Sequence, residues 1–380
     1  MSSDSKPFVF DAHVDSIQKA LDLGQDLGVR GSGHLDLARG REGGLGAVVL
    51  VSWCDPAFME PEGSGATERT RRLVGEVQAL SRRHPDRATL VTDGETLAAA
   101  RAAGHIALIA GIEGGHPIAN SLEELERFHA QGVRVLTLVW NNHLGWVRSC
   151  QDGAGPQVPA GLSDFGRDVV RRMNELGMLV DLSHAGERAF HDALETSARP
   201  VIASHSCCKA LHDHPRNLTD EQLRALGQAG GVCGIAFLPG FLDAEAREDE
   251  MRARTLPEFK AIDAGNDTAT LIAQGEFLQR EVVPCSMDVI VRHIVHAIGV
   301  AGVQHVGLGS DYDGIDHVVQ GLEGASCYPR LAHALQGAGL STEEIAGVLG
   351  DNMARAFAAA TRGAGPVTDW LDGVPAARRG

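Results

Sequence analysis

The sequence predicts a closed barrel of eight parallel strands surrounded by helices, the (β/α)8 or TIM barrel fold. Short aliphatic runs alternate with helical patterns about eight times along the 380 residues. The runs are almost continuously apolar, as expected for parallel strands that are covered on both faces. Glycine is abundant, at 46 residues, which suits a fold with many tight turns between strands and helices.

Eight segments are predicted as the barrel strands: Phe8–His13, Ala47–Trp53, Ile106–Ile112, Arg134–Val139, Met178–Asp181, Pro200–Ala203, Val232–Phe237 and His305–Gly309. Helices are predicted at Thr67–Arg83, Ser121–Gln131, Ser163–Leu176, Gly186–Thr196, Thr219–Gln228, Met287–Ile298, Ser341–Leu349 and Met353–Thr361. The alternative fold is a doubly wound open sheet. That fold needs a topological switch point, and the sequence has neither a GxGxxG nor a P-loop motif to mark a nucleotide site there.

The whole chain, residues 1–380, is predicted to be one domain, because α/β barrels commonly reach this length as single domains. The longest segment between predicted strands, residues 238–304, is interpreted as an insertion after strand seven. Its charged first part is predicted to be helical, and the segment is expected to cover the barrel mouth as a lid or to form an oligomer contact. Residues 363–380 are predicted to be a C-terminal tail.

The composition excludes several classes of partner. A formal net charge of −16 repels both nucleic acid and anionic membrane surfaces, and aromatic residues, at 4%, are too few for a base-stacking platform. No run reaches the roughly 18 apolar residues of a spanning helix, and no secretory signal is visible. The 7 cysteines form no CxxC pair or regular framework, which is typical of reduced thiols. We therefore expect a cytoplasmic protein without nucleic-acid or membrane partners.

Polar residues stand where the predicted strands end, and in this fold the carboxyl ends of the strands line the active site. The first strand runs into His13 and Asp15, and their spacing of two allows both side chains to point to one side. Four later strands also run into an imidazole or a carboxylate, namely Glu113, His184, His205 and Asp311.

Imidazole and carboxylate groups together are typical ligands of Zn²⁺. Any one of these residues alone would more often be a core histidine or a turn residue, but their joint placement indicates a metal site. Five candidate ligands are too many for one catalytic zinc and fit two ions that share a bridging carboxylate. Glu113 is the candidate bridge. The five candidates are His13, Asp15, Glu113, His184 and His205.

Six short motifs carry a resemblance to a known family. They are DAHVD (11–15), GIEGG (111–115), DLSH (181–184), ASHS (203–206), HPRN (214–217) and GSDYDG (309–314). In this order and spacing the chain resembles the membrane (renal) dipeptidase family, whose members are binuclear zinc peptidases of the amidohydrolase superfamily. The resemblance spans about residues 8–360.

The resemblance implies two Zn²⁺ per subunit. His13 and Asp15 would hold one ion, His184 and His205 would hold the other, and Glu113 would bridge them. A hydroxide between the metals would attack the scissile carbonyl of a dipeptide, either L-Xaa-D-Xaa or L-Xaa-L-Xaa. Family members are often homodimers, so a homodimer is also expected.

Two further residues receive roles from the resemblance. Arg216 matches the arginine that binds a substrate carboxylate, for which its planar guanidinium is suited. A surface salt bridge is its alternative role. Asp311 matches the aspartate that moves a proton from the attacking water to the leaving amine. Its neighbour Asp313 is expected only to shape the Asp-Gly turn.

The chain departs from the mammalian members after strand four, where they have a histidine proposed to stabilise the oxyanion. This chain has Trp140 there, which could act only through its indole N–H. His143, three residues later, is the other candidate for that role, with a plain loop position as its alternative.

Two other functions stay open from the sequence. The departure at Trp140 and the long insertion also fit a hydrolase of N-acyl amino acids, or of other small amides or lactones, with the same metals. A non-catalytic metal-bound binding protein is the second alternative, and an intact Asp311 argues against it.

Overall fold

The computed structural model describes residues 7–59, 64–262 and 268–371. The strands of this part of the chain are β1 Val9–Val14, β2 Leu45–Trp53, β3 Ala88–Leu90, β4 Ile106–Glu113, β5 Val133–Thr137, β6 Leu179–Asp181, β7 Ile202–Ser206, β8 Val232–Ile235 and β9 Val306–Leu308. Its α-helices are α1 Ile17–Leu23, α2 Leu37–Gly43, α3 Ser64–Arg83, α4 Gly94–Ala103, α5 Leu122–Ala130, α6 Asp164–Leu176, α7 Glu187–Thr196, α8 Asp220–Gln228, α9 Pro239–Leu242, α10 Ala244–Ala253, α11 Pro257–Lys260, α12 Thr268–Glu281, α13 Met287–Ala301, α14 Tyr328–Gly337, α15 Thr342–Ala346 and α16 Asn352–Ala360.

Eight of these strands close into a parallel barrel. β1 pairs with β2 on one side and with β9 on the other, β2 pairs with β4, and from β4 to β9 each strand pairs with the next. The predicted TIM barrel is therefore confirmed, and the doubly wound sheet is excluded because this sheet has no open edge among its eight strands. The short strand β3 was not predicted, and it pairs only with the first three residues of β4.

Side-chain alternation along the strands produces two apolar layers. In β2, Val49 and Val51 belong to the cluster inside the barrel, whereas Val48 and Leu50 belong to the larger cluster between strands and helices. This period of two explains why the strands read as continuous apolar runs. The last helix, α16, packs against the interior cluster near the start of β1, where the rings of Phe10 and Phe357 lie 6.2 Å apart.

Four of the predicted helix segments begin with a serine or threonine that the structure places immediately before the first helical residue. Each of these hydroxyls accepts a hydrogen bond from a backbone N–H of the first turn, at Ser121, Ser163, Thr219 and Ser341. Such caps satisfy backbone donors that a helix cannot pair internally, so the same signal that predicts a helix also marks its true start.

A buried arginine closes the amino-terminal end of β5. Arg134 has no exposed surface and donates only to backbone carbonyls, those of Thr92, His129, Val133 and Gly365, over 2.6–2.9 Å. Because Gly365 lies far along the chain, this guanidinium fastens the C-terminal segment to the base of the barrel.

The predicted insertion follows β8, the seventh strand of the barrel, and contains helices α9–α12 ahead of α13. Residues of this segment, among them Phe241, Arg247 and Leu271, line the cleft at the carboxyl ends of the strands. Residues 263–267 of the insertion and 372–380 of the predicted tail lie outside the described residues. Within the described ranges, none of the helices combines the length and apolarity needed to cross a bilayer.

Candidate active site

Five predicted ligands meet at the carboxyl ends of the barrel strands. His13 lies in β1 and Asp15 directly after it, Glu113 is the last residue of β4, and His205 lies in β7. His184 follows β6 in a loop. All five side chains are buried, with exposed fractions between 1% and 6%. The pairing register shifts in β1 next to His13 and in β7 next to His205, and such irregularities re-aim side chains beside active sites.

The five side chains form two triads that share one carboxylate. His13, Asp15 and Glu113 make the first triad, and Glu113, His184 and His205 make the second, with the ligand atoms of each within 4.8 Å of one another. Glu113 Oε1 lies 3.5 Å from His13 Nε2, 2.9 Å from His184 Nε2 and 3.3 Å from His205 Nε2. The oxygen of Glu113 thus lies at the centre of three imidazoles, as expected of a bridging ligand.

The first triad also contains ligand atoms with no hydrogen-bond partner among the described residues. His13 Nε2 and Asp15 Oδ2 are both buried and unpartnered, and they lie 3.6 Å apart. A buried polar atom without a partner costs free energy, so such an atom needs an explanation. Nitrogen and carboxylate oxygen donors are the set that Zn²⁺ and related divalent ions prefer. The residues therefore fit two divalent cations.

The charges of the five ligand-type side chains depend on one another. Burial disfavours the charged form of His13, but the carboxylates of Glu113 and Asp15 outweigh it and raise the pKa of His13 to about 10. Burial would also raise the pKa of Glu113, yet the imidazoles around it hold that pKa well below its usual value. A proton on His13 therefore balances the carboxylates here, and a bound cation would take the place of that proton.

The two histidines of the second triad, His184 and His205, are held in the neutral form. Burial, and then the positive charge of Arg216, lower the pKa of His184 to about 4. Burial and the charges of His13 and Arg216 keep the pKa of His205 well below its usual value. A neutral imidazole is the form that ligates metal, so these two histidines are ready to bind at neutral pH.

Asp311 lies at the edge of the cleft beside the first triad. Its backbone N–H donates to the His13 carbonyl at 3.0 Å, and its side chain lines the cleft. Burial raises the pKa of Asp311 to about 6, against the effect of His13 and with a contribution from Glu113. Asp311 and His184 both have left-handed backbone conformations, with φ of 63° and 65°. Non-glycine residues in this region store strain that is commonly found at functional sites.

Arg216 is a buried arginine without an acidic partner. It is 4% exposed, its Nη2 donates to the His205 carbonyl at 3.0 Å, and its guanidinium carbon lies 5.3 Å from the centre of the Phe241 ring. Its Nε has no hydrogen-bond partner, and no carboxylate of the described residues lies within 4.0 Å. A buried, unpaired guanidinium that lines a cleft is suited to binding an anionic group.

The two candidates for the oxyanion role lie in different places. Trp140 lines the cleft, and its ring lies 5.2 Å from Trp53 and 6.3 Å from His184. His143 is not among the residues that line the cleft. Its Nδ1 accepts from the Ser149 N–H and its Nε2 bonds the Asp152 carbonyl, each over 3.2 Å. The structure therefore does not bring His143 to the site, because its ring nitrogens hold the loop together.

Asp313 also has a structural position. Its carboxylate accepts from Lys19 Nζ at 2.5 Å and from the His34 N–H at 2.9 Å. The positive charges of His34 and Lys19 outweigh burial and lower the pKa of Asp313. This ion pair joins the loop after β9 to α1, a larger role than the turn that the sequence predicts.

Sequence analysis missed three polar residues around the predicted ligands, two that contact a ligand directly and a third that bonds one of these two. Asn141 Oδ1 accepts from His184 Nδ1 at 2.9 Å, and Ser204 Oγ lies 2.8 Å from His205 Nδ1. Asp181 accepts in turn from Ser204. Asp181 and Ser204 lie within the motifs DLSH and ASHS, and Asn141 follows Trp140, but only the fold shows which ring nitrogens Asn141 and Ser204 contact.

The cleft over these residues has a volume of about 420 Å³. Its walls come from the carboxyl ends of several strands and from the insertion. Its lining includes all the predicted ligands except His13, together with Asp311 and Arg216. A cavity of this volume can hold a molecule the size of a few amino-acid residues. The arrangement can therefore place a short anionic substrate over two metal positions.

Comparison with known proteins identifies the family. Residues 4–366 match the membrane dipeptidase family, peptidase family M19. Dipeptidase tcpJ of Claviceps purpurea is 32% identical over 362 residues, which are 91% of this chain and 76% of that protein. An uncharacterized dipeptidase of Schizosaccharomyces pombe is 32% identical over 335 residues, covering 86% of this chain and 73% of that protein.

Solved structures agree with this result. The dipeptidase AC, a metallopeptidase of family M19, is 25% identical and superposes with a TM-score of 0.77, covering 94% of this chain and 99% of that one. A metallopeptidase of Rhodobacter sphaeroides, solved with a phosphinate mimic of the dipeptide L-Ala-D-Ala, is 24% identical with a TM-score of 0.76 and covers 94% and 100% of the two chains. The second likeness shows the fold alone.

Proposed function

The chain belongs to the membrane dipeptidase family, and from this premise and the cleft geometry we propose that it hydrolyses L-Xaa-D-Xaa and L-Xaa-L-Xaa dipeptides with two zinc ions per subunit. Its relatives are dipeptidases and the family is one of metallopeptidases, so the chain is a metallo-dipeptidase. The observation that carries the finer proposal is the position of Glu113, which is shared by two buried triads of ligand type.

Each triad would hold one ion. His13 and Asp15 bind the first, His184 and His205 bind the second, and Glu113 contributes to both. When bound, the two ions would supply a Lewis acid for the scissile carbonyl oxygen and a water of lowered pKa as the nucleophile. Zinc is proposed because imidazole nitrogen dominates the set, with three histidines against two carboxylates.

Arg216 selects the substrate in this proposal. Its unpaired guanidinium lies beside the second triad, through its bond to the His205 carbonyl. It binds the free C-terminal carboxylate of the dipeptide and so places the peptide bond over the metal positions. A longer peptide would put its next residue where the guanidinium lies, and this restricts the substrates to short peptides.

Asp311 moves the proton. As a carboxylate it accepts a proton from the attacking water, and as the acid it delivers that proton to the leaving amine nitrogen. Burial raises the pKa of Asp311 above its usual value, and a general acid–base group works best with a pKa near the operating pH. Trp140, on the wall of the cleft, is proposed to contact the substrate.

The test is hydrolysis of a panel of L,L and L,D dipeptides by the purified protein, with zinc, after chelation, and after zinc is restored. Turnover that disappears with the chelator and returns with zinc supports the proposal, and C-terminally amidated dipeptides serve as matched poor substrates. Failure of the fully metallated protein on every dipeptide would refute it. Hydrolysis of N-acyl amino acids alone would instead favour the second hydrolase function.

A further inference from the structure

The hydroxyl of Ser204 lies between two imidazoles that belong to different triads. Ser204 Oγ is 3.2 Å from His13 Nδ1 and 2.8 Å from His205 Nδ1. It also lies 2.6 Å from Asp181 Oδ2 and 3.2 Å from Ser183 Oγ. Ser204 has no exposed surface. One buried hydroxyl therefore contacts a candidate ligand of each metal position.

The direction of these hydrogen bonds follows from Asp181. Its Oδ1 accepts from the backbone N–H groups of Ser183 and Ser204, at 3.0 and 2.8 Å. Its Oδ2 accepts from Thr137 Oγ1 at 2.5 Å and from Ser204 Oγ. An ionised carboxylate can only accept hydrogen bonds, so the single proton of the Ser204 hydroxyl is directed to Asp181.

The oxygen of Ser204 is then left to accept, and the Nδ1 atoms of both histidines lie within hydrogen-bond distance of it, as does Ser183 Oγ. An imidazole that donates from Nδ1 has its own lone pair on Nε2. Nε2 is the atom that His13 and His205 each direct towards Glu113. The same hydroxyl thus sets the tautomer and the ring orientation of one ligand in each triad.

We propose that Ser204, fixed by Asp181, is a positioning residue that couples the two metal sites, so that both ions depend on one hydroxyl. The proposal rests on the two-metal function given above. Asn141 is the natural contrast, because its Oδ1 accepts from Gln151 and from one candidate ligand, His184 of the second site. Partners that orient ligands in this way typically change metal affinity by about 10- to 100-fold when they are removed.

The experiment measures zinc affinity and stoichiometry by competition with a chromophoric chelator, independently of peptide hydrolysis. In Ser204→Ala we expect both zinc affinities to fall together by about 10- to 100-fold. In Asn141→Ala only one of the two should fall. Ser206→Ala is the matched control, since Ser206 lies in the same strand, is fully buried and has no partner for its hydroxyl among the described residues.

Two further variants separate this role from a general effect on folding. Ser204→Thr keeps the hydroxyl and should retain both affinities, whereas Ser204→Cys keeps the size but accepts hydrogen bonds weakly and should lower both. The proposal is overturned if Ser204→Ala and Ser204→Cys keep both affinities within twofold, or if only one of the two sites weakens. It is equally overturned if the unmodified chain binds fewer than two ions. An unmodified chain that binds two zinc ions but hydrolyses no dipeptide would count against the proposed function and not against this coupling.

Discussion

Two buried arginines, one at each end of the barrel, differ in how many of their guanidinium N–H groups have a hydrogen-bond partner. Arg134, near the start of β5, donates to four backbone carbonyls. Arg216, in the loop after β7, donates to one carbonyl and leaves its Nε without a partner among the described residues. Both are at least 96% buried. Burial alone therefore does not separate these two arginines, whereas the pairing of their N–H donors does.

The same difference applies to the other groups near Arg216. His13 Nε2 and Asp15 Oδ2 are buried ligand atoms without partners, and Asp311 and His184 have strained backbones. Folding normally satisfies buried polar groups, so a cluster of unsatisfied ones indicates that a ligand completes them. Arg134 at the amino-terminal end is satisfied by the chain itself, whereas the unpartnered atoms of His13, Asp15 and Arg216 lie near the carboxyl ends of the strands. Four substitutions test this contrast.

The largest effect is expected at Glu113. Glu113→Gln replaces a shared carboxylate oxygen with an amide and weakens both triads at once. We expect kcat/KM to fall by at least about 10³-fold, as when one member of a catalytic unit is removed, and zinc content to fall below two ions. Glu123→Gln on the exposed face of α5 is the control. Near-normal activity with two bound ions in Glu113→Gln would mean that Glu113 is not the bridge.

Asp311→Asn should lower kcat by about 10²- to 10⁴-fold, the usual contribution of a general acid–base group, while both zinc ions stay bound. Asp311 must begin the reaction as a carboxylate, so activity is lost as pH falls through its pKa. Burial raises that pKa to about 6, and bound cations would lower it again. The acidic limb of the kcat/KM profile should therefore lie at or below pH 6 and should disappear in the variant. An unchanged acidic limb would assign it to another group.

Arg216→Met removes the unpaired guanidinium and should lower kcat/KM for dipeptides by about 10- to 100-fold. This range follows from the roughly 1.5–3 kcal/mol of a hydrogen bond to a charged group. Dipeptide amides, which lack the carboxylate, should be hydrolysed equally by both forms. The ratio of kcat/KM for acid and amide substrates is the measurement. A variant that still prefers the free acid would show that another residue binds the carboxylate.

The smallest effect on catalysis is expected at Arg134. Arg134→Met removes one donor from four backbone carbonyls, of which that of His129 still accepts from the Gly132 N–H. Each carbonyl left unsatisfied costs about 1–3 kcal/mol. We expect a lower Tm with kcat/KM per folded molecule unchanged. Arg171→Met on the exposed face of α6 should move neither quantity, since surface substitutions usually change stability by about 0.5 kcal/mol or less. A reduced kcat/KM in folded Arg134→Met would contradict the expectation that Arg134 affects stability and not catalysis.

The sequence was sufficient for the barrel strands because each is buried on both faces and reads as an apolar run. It missed β3, whose three residues are too few to show a period and are only partly buried. It also missed α4, although the structure shows a capping box between Asp93 and Thr96 there. In that helix alanine predominates, and the apolar periodicity on which the prediction relied is weak.

For the site, the sequence by itself determined which residue types stand at the strand ends. Parallel strands bring their carboxyl ends to one face, so Glu113 and His205 could be placed together without coordinates. Only the tertiary structure decided which atoms meet. It placed the hydroxyl of Ser204 between His13 and His205, and it turned His143 away into its own loop. Whether a hydrogen bond forms depends on differences of a few tenths of an ångström in the distance between residues that are far apart in the chain. A periodic pattern of side chains does not contain that information.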